Sequence, residues 1–529
     1  MSRATKSAEL TTLSITPELG LDFSGPATGI ADNALRVSMN GYYPPGSKKW
    51  RSRPGVTCVL TEANKLGSAI DVMRPHFNGT TTYLVAASGG NLYQMSKAVL
   101  EGSAASRIFT SIGALSGVTK PGLQSYNTKL FVADRGAATL RYWDAGGNYG
   151  LVTSGPTYPS TVIQAKNRLW ANATDDADAV WGSKEAWTDT TFTDSGYVTL
   201  RAGYGDGMNV VDLCTAPGGS DILVHKRNTD GGGAQCRRLN IADPTTSNWY
   251  VTDPLFSNAA QDNPYASIQA FNDSLFVSDD GIFNVSGVLQ YGDMQIGNLG
   301  EKINPLMRIS GTINVQELSH NELLGCVFLL LRNTSSVYVF TPWNLAFSQW
   351  NFGTEQVTST CTMHGITYFG TSAGRIYRLN TDNSTSASVG TDELTYGNLS
   401  NFNSQFRTKT FAFGGYDAAV RKASALITAL QPGTGDVSTV DDYGNTASVF
   451  SWVQGDNSLR IGGTFAGTEK IGGAAAGLLK IGQLSGAPEH RRGFGGPRSE
   501  TLSFQLTMSG GARAEVSYLT AEVRANLGA

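Results

Sequence analysis

A hairpin recurs seven times between residues 82 and 377, which restricts the chain to folds made of repeated short antiparallel strands. Each copy is an aromatic and aliphatic run, a small polar turn, then a second such run. The copies lie at 82–93, 129–143, 168–182, 222–233, 274–283, 327–340 and 367–377. β-Branched and aromatic residues suit a pleated strand, and Gly, Asn, Asp and Ser supply the turn conformations of tight hairpins. The turns centre near 88, 135, 175, 229, 280, 333 and 373. Their spacing of about 40 to 54 residues, averaging about 47, is that of a four-stranded propeller blade. One such sheet cannot bury both of its faces, whereas blades arranged radially cover one another and shield most edges. The pattern predicts an all-β fold: a β-propeller of six or seven blades with an additional C-terminal β domain. An irregular β-sandwich with coincidental spacing is the competing architecture.

The repeat also divides the chain. At 529 residues it is too long for one compact core. Residues 1–60 carry no copy and are expected to be an N-terminal arm with the first strands; 61–400 hold the propeller; 401–529 form a separate β domain. In that last region 501–508 and 512–523 alternate as strands do, and 418–430 fits a helix or a strand equally well. Arg460, Lys470 and Lys480 each precede Ile-Gly at ten-residue intervals in a Gly/Ala-rich stretch, either as three short strand–turn units or as a flexible loop.

Composition narrows the function classes. The 62 glycines and a charged fraction of 16%, against about 25% in an average domain, favour turns and strands over helices. A hydrophobic fraction of 40% rules out wholesale disorder. The net charge of −3 supplies no surplus cations for gripping phosphates. Five scattered cysteines (Cys58, Cys214, Cys236, Cys326, Cys361) with no CxxC read as reduced, buried thiols. Residues 1–16 lack a signal peptide's apolar stretch, and the longest apolar run, 323–331, is half of a membrane span. A protein made inside the cell, with no membrane span, is expected.

The motifs that could carry chemistry each have a plainer reading. Gly370, Ser372 and Gly374 match the G-x-S-x-G nucleophile elbow, which requires a strand-to-helix turn; here they sit in the turn of the seventh hairpin. Carboxylates gather at Asp175, Asp176 and Asp178, at Asp279 and Asp280, and at Asp441 and Asp442. All fall in predicted turns, without EF-hand spacing and without a singled-out glycosidase pair. The histidines (His76, His225, His320, His364, His490) are solitary, with no metal-ligand spacing. The basic run Lys48, Lys49, Arg51 and Arg53 around Trp50 could contact nucleic acid by charge and stacking; a solvated strand edge or an acidic partner is favoured. No catalytic, cofactor-binding or metal-ligating residue is predicted, and no cofactor.

The opening carries a resemblance. Gly20, Leu21, Asp22 and Phe23, then 30–36, then Met39 and Asn40, then Trp50 through Arg53, Pro54 and Gly55, resemble the start of tail proteins of short-tailed bacteriophages. These are the tail nozzle (tail tubular) and tail stabilisation or hub proteins. Asn167 to Trp170, Val180 to Ser183 and Trp343 to Trp350 are similar to blade motifs of that family. The likeness covers about two-thirds of the chain as pattern, and the 460–482 repeat has no counterpart in it. It implies a structural virion protein without enzymatic activity, located in the phage tail and assembled in the host bacterial cytoplasm. Such a protein forms a homo-oligomeric ring, commonly a hexamer, below the portal or adaptor (head-completion) protein and in contact with tail fibre or needle. The ring extends the head–tail connector channel, retains the genome and passes double-stranded DNA during ejection. A mildly acidic wall suits that task, because each fixed cation on a phosphate would add a binding term that slows sliding. The alternative from another class is a carbohydrate-binding or glycosidase-type propeller.

Overall fold

The computed structural model describes residues 10–117, 120–144, 146–228, 233–287, 294–308, 313–380, 391–413, 418–431, 433–441, 443–454, 488–494 and 498–525. Their regular secondary structure is nearly all strand, with helix confined to single short turns. The 460–482 repeat, Asp442 and the side chain of His490 lie outside the described residues.

Each of the seven hairpins is the middle pair of a set of four antiparallel strands. Six of the sets are separate sheets and the sixth in order is the end of a larger one; the sets, called sheets below, follow one another along the chain. The first sheet is Ile70–Phe77, Thr82–Ser88, Asn91–Ser96 and Thr110–Ala114. The second is Gly122–Tyr126, Lys129–Ala133, Arg141–Trp143 and Tyr149–Leu151. Val162–Ala165, Arg168–Asn172, Ala179–Gly182 and Val198–Arg201 make the third; Met208–Thr215, Ile222–Asn228, Ala234–Asn240 and Tyr250–Val251 the fourth. The fifth is Ser267–Ala270, Asp273–Val277, Ile282–Gly287 and Met294–Asn298, and the sixth Val315–Asn321, Cys326–Leu331, Ser336–Thr341 and Ala346–Asn351. The seventh takes three strands in order, Val357–Met363, Ile366–Thr371 and Ile376–Leu379, and its fourth, Val56–Cys58, from the beginning of the chain.

The first strand of every sheet adjoins the first strand of the next, and that of the seventh returns to that of the first. The apolar residues explain this order. Central strands such as Cys326–Leu331 and Arg168–Asn172 are buried at every position, so both faces of those sheets are covered. The covering clusters fill the intervals in sequence. Val72, Val85 and Leu92 meet Leu123, Leu130 and Trp143 between the first and second sheets. Phe131 and Leu140 meet Leu169 and Trp187 at the next interval, and Trp170 and Val180 meet Leu213, Val224 and Trp249 at the one after. One larger cluster spans the fourth to sixth sheets. Phe328 and Trp350 pack on Phe369 and Tyr377, and Cys361 and Tyr368 of the seventh sheet pack on Met73, Leu84 and Ala86 of the first. All five cysteines are buried thiols.

The remaining strands, from both ends of the chain, extend the sixth sheet and build a second large sheet, and Thr391–Thr395 pairs with Asn398–Asn401 as a separate hairpin. Ala346–Asn351, the last strand of the sixth sheet, pairs in parallel with Leu35–Met39. That sheet then continues through Ser404–Thr408, Thr501–Ser509, Gly433–Val440 and Thr446–Gln454. The second sheet runs Gly41–Tyr42, Trp50–Ser52, Arg513–Ala525, Ala418–Gln431 and Pro488–Phe494, with Leu10–Ile15 also paired to Arg513–Ala525. The segment that suits helix or strand equally is thus a strand, Ala418–Gln431. Leu502, Phe504, Leu506 and Met508 from one sheet and Ala423, Ile427, Val516, Leu519 and Ala521 from the other share a single core. Their inward positions alternate, as Ser404–Thr408 shows with buried and half-buried residues in turn.

Candidate functional site: a charge cluster among the first strands and a clasp at the junction

Two polar constellations are buried where apolar residues would be expected. The first lies where the first strands of the sheets converge. Glu317, fully buried in Val315–Asn321, receives Arg74 Nη1 on Oε1 at 2.7 Å and Lys120 Nζ on Oε2 at 2.9 Å. Arg74 Nη1 also donates to Met73 O and Thr360 O, and its guanidinium carbon lies 3.9 Å from the Tyr265 ring centroid. The Tyr265 hydroxyl donates to Pro121 O at 2.9 Å and accepts from Leu123 N at 2.9 Å. The first, second, fifth, sixth and seventh sheets are therefore joined through one carboxylate and one phenol.

Burial opposes the charge on Lys120, and Glu317 only partly restores it, so its pKa is lowered. For Arg74 burial works the same way, but Glu317 and Tyr265 outweigh it and the net direction is up. Asp71 is pushed up to about 6 by burial, against the pull of Lys120. A cavity of about 510 Å³ opens over Arg74, with Ser319, His320, Thr360 and Thr362 in its wall. In the first strand of the fourth sheet Asp212 is fully buried at a bulge in Met208–Thr215. Burial raises its pKa to about 8, although Ser267 Oγ (2.6 Å), Leu213 N (2.9 Å) and Thr161 Oγ1 (3.2 Å) all donate to it. Near neutrality Asp212 holds its proton and acts as a hydrogen-bonding link between three sheets.

The second constellation is a clasp made from the opening segment. Arg53 is fully buried and binds Asp392 through both guanidinium nitrogens, Nη1 to Oδ1 at 2.9 Å and Nη2 to Oδ2 at 2.6 Å. Its guanidinium carbon lies 4.0 Å from the Phe402 ring centroid and 4.7 Å from that of Phe352. Arg53 Nε donates to Asn40 Oδ1, which also accepts Asn351 N, while Asn40 Nδ2 donates to Asn403 O. Asn40 adopts φ 55°, a left-handed conformation that asparagine tolerates. Arg513 closes the group by donating to Arg53 O at 2.8 Å and Ser52 O at 3.1 Å. Gly20 sits at φ 66° against the sixth sheet, where a Cβ would lie 2.5 Å from Phe347 O. Only glycine fits that approach.

The basic run read from the sequence is largely consumed here. Lys49 Nζ and Arg51 Nη2 bind the two oxygens of Glu515 at 2.9 and 2.6 Å, and they hold its pKa below the ordinary value although burial works against them. Lys48 stands 77% exposed, 3.4 Å from Glu18. The acidic groups that meet this run belong to the same chain.

The other motifs stay apart. Ser372 is exposed in the turn between two antiparallel strands, Ile366–Thr371 and Ile376–Leu379, with no helix following it as an elbow demands. Arg201 binds both Asp176 and Asp178. Arg227 binds Asp279, and Asp441 accepts Tyr443 N at 3.0 Å and Asn445 N at 2.8 Å as a turn residue. His76 and His225 are buried in separate sheets and lowered by burial to about 4 and about 3. Among the described residues no group of three or more His, Cys, Asp or Glu gathers at a metal-binding distance. Sequence reading missed Glu317, Asp212 and Asp392. The one available signal was a carboxylate within an otherwise strand-like segment.

No family model and no curated protein matches this chain. Among solved structures, the computationally designed Ika8 protein aligns over 62% of this chain and 100% of its own, at 13% identity and a TM-score of 0.37.

Proposed function

We propose that the seven sheets form a seven-bladed β-propeller, and that the chain is a structural subunit of a ring in the tail of a short-tailed bacteriophage. The observation that carries this reading is where the opening segment spends its residues. Gly20, Asn40 and Arg53, which bear the resemblance, make close-packing and hydrogen-bond contacts that tie the cyclic sheets to the C-terminal sheets. Residues used in that way serve rigidity. Load passes from one region to the other through a buried, bidentate ion pair and a shared sheet instead of a flexible linker.

The work of such a subunit is mechanical. Copies associate head to tail and close by rotation, in a hexamer, with the portal or adaptor protein above and a fibre or needle below. The channel wall holds the genome and then lets duplex DNA slide, helped by a subunit whose formal charge is −3. Lys49, Arg51 and Arg53 of the opening run are engaged by Glu515 and Asp392.

Light scattering on a sizing column, with negative-stain images of the same peak, tests the proposal, alone and after mixing with the portal–adaptor complex of the phage that encodes it. A closed ring with a lumen wide enough for duplex DNA is expected. A protein that stays monomeric in both conditions overturns the reading.

A further inference from the structure

Two bulky apolar residues are held in a backbone conformation that ordinarily belongs to glycine or asparagine. Phe271, in the turn after Ser267–Ala270, has φ 59°, and Leu345, in the turn before Ala346–Asn351, has φ 50°. For a large side chain that conformation costs about 1–2 kcal/mol. Corresponding turns of other sheets place Asn127 and Thr128, Lys166 and Asn167, or His364 and Gly365 at positive φ. The strain brings no burial in return at Leu345, which is 52% exposed, nor at its neighbour Trp343, which is 64% exposed. Folding alone does not account for two exposed apolar groups on strained or tightly held backbone.

These three side chains border one cavity of about 220 Å³, where Asn272, Asp273 and Asn284 are the polar part of an otherwise apolar wall. The Trp343 and Phe271 rings stand nearly edge to face, 6.5 Å apart at 65°. The turn that carries Trp343 is pinned, because Asn344 Nδ2 donates to Glu18 O at 2.8 Å. Asn284 Nδ2 donates to Ser286 Oγ at 3.0 Å and makes a long 3.5 Å contact with Asp273 Oδ2. A carboxylate can accept about four hydrogen bonds, so Asp273 keeps acceptor capacity for a ligand.

We propose that this cavity binds one pyranose ring of a glycan. Trp343 stacks against the C–H face of the sugar, and Asp273, Asn272 and Asn284 pair with its hydroxyls. The chemistry of the wall selects this class. An apolar side chain from a partner would leave the carboxylate desolvated and unpaired, and an anionic ligand would meet its charge. A sugar presents an apolar face and several hydroxyl donors together. The volume lies below the ~300–1,000 Å³ of pockets for drug-sized ligands, which limits the occupant to about one ring. The site needs one copy of the chain, so it stands or falls independently of ring assembly.

The test titrates the full chain with the methyl glycosides of glucose, galactose, mannose, rhamnose and N-acetylglucosamine. Saturation-transfer NMR and tryptophan fluorescence report binding. At least one glycoside should bind with roughly millimolar affinity, weakened tenfold or more in Trp343→Ala and in Asp273→Asn. Trp343 is exposed, so that variant should keep the wild-type Tm. Failure of all five glycosides to bind overturns the proposal, as does equal binding by wild type and Trp343→Ala. A Trp343→Ala variant that loses assembly mass while no glycoside binds the wild type assigns the patch to an interface between copies instead.

Discussion

The cyclic sheets and the C-terminal sheets are both antiparallel β-structure, but they are assembled by opposite means. In the cyclic part almost every pairing is local. Thr82–Ser88 pairs with its immediate neighbours in the chain, and so do its counterparts in the other sheets. In the C-terminal part the pairings are distant: Leu10–Ile15 with Arg513–Ala525, Trp50–Ser52 with the same strand, and Leu35–Met39 with Ser404–Thr408. Local pairing repeats, and a repeat can be read. Distant pairing leaves no period. The two regions meet where distant pairings are most concentrated, around Arg53, and perturbation there has the greatest leverage.

Arg53→Ala should have the largest effect. It leaves Asp392 buried without its cation and removes the Nε bond to Asn40, at the upper end of the ~3–5 kcal/mol expected for breaking a buried pair. Calorimetry should show the single wild-type transition separating into two, as the regions uncouple. One cooperative transition at an unchanged Tm would mean that the clasp does not couple them. Glu317→Leu acts inside the cyclic part alone. It strands Arg74 and Lys120, and should cost ~3–4 kcal/mol by denaturant titration, somewhat less because Arg74 is 20% exposed at its side chain. Its effect should fall on the cyclic transition in the Arg53→Ala background and spare the C-terminal one.

Asp212 offers a change of opposite sign. Its folded pKa of about 8 lies above the ordinary carboxylate value, so the folded state binds the proton more tightly than the unfolded state. Stability is then highest below about pH 4 on this account and falls as pH rises toward 8, by up to about 1.4 kcal/mol per unit. Asp212→Asn should remove that slope and make the protein more stable than wild type at pH 7, measured as Tm against pH. A variant less stable than wild type at pH 7 would show that Asp212 is charged and paired there. At the small end, Lys48→Ala should change stability by less than ~0.5 kcal/mol, since its bridge to Glu18 is exposed. On the proposed tail-subunit reading Ser372→Ala should leave stability and infectivity intact; lost infectivity with normal assembly would restore the nucleophile reading.

This contrast also governs what was legible in advance. The seven hairpins are readable because apolar runs and Gly-, Asn- or Ser-containing turns are local signals, and each is the middle of a set of four antiparallel strands. Val56–Cys58 was not readable as the closing strand of the seventh sheet. Its partner Ile376–Leu379 lies more than three hundred residues away, and three residues hold no periodicity. The strand at Ala418–Gln431 was ambiguous for a related reason. Its many alanines suit helix and strand alike, and pairing with Arg513–Ala525 decides between them. The basic run around Trp50 was visible as charge, yet nothing local shows that Glu515 and Asp392 lie opposite it. The candidate sites were the least legible part. Glu317 and Asp212 are single polar residues in strand segments, and their roles depend on neighbours from other sheets. Phe271 and Leu345 reveal themselves only through φ.

All of this depends on the chain beginning and ending its cyclic array in the same sheet. Hydrogen exchange on the amides of Val56–Cys58 tests that closure directly. The account predicts protection equal to that of Ile376–Leu379, with which the strand is paired, and joint loss of both in denaturant. Rapid exchange at Val56–Cys58 beside a protected Ile376–Leu379 would contradict it, leaving the array open at its seventh sheet.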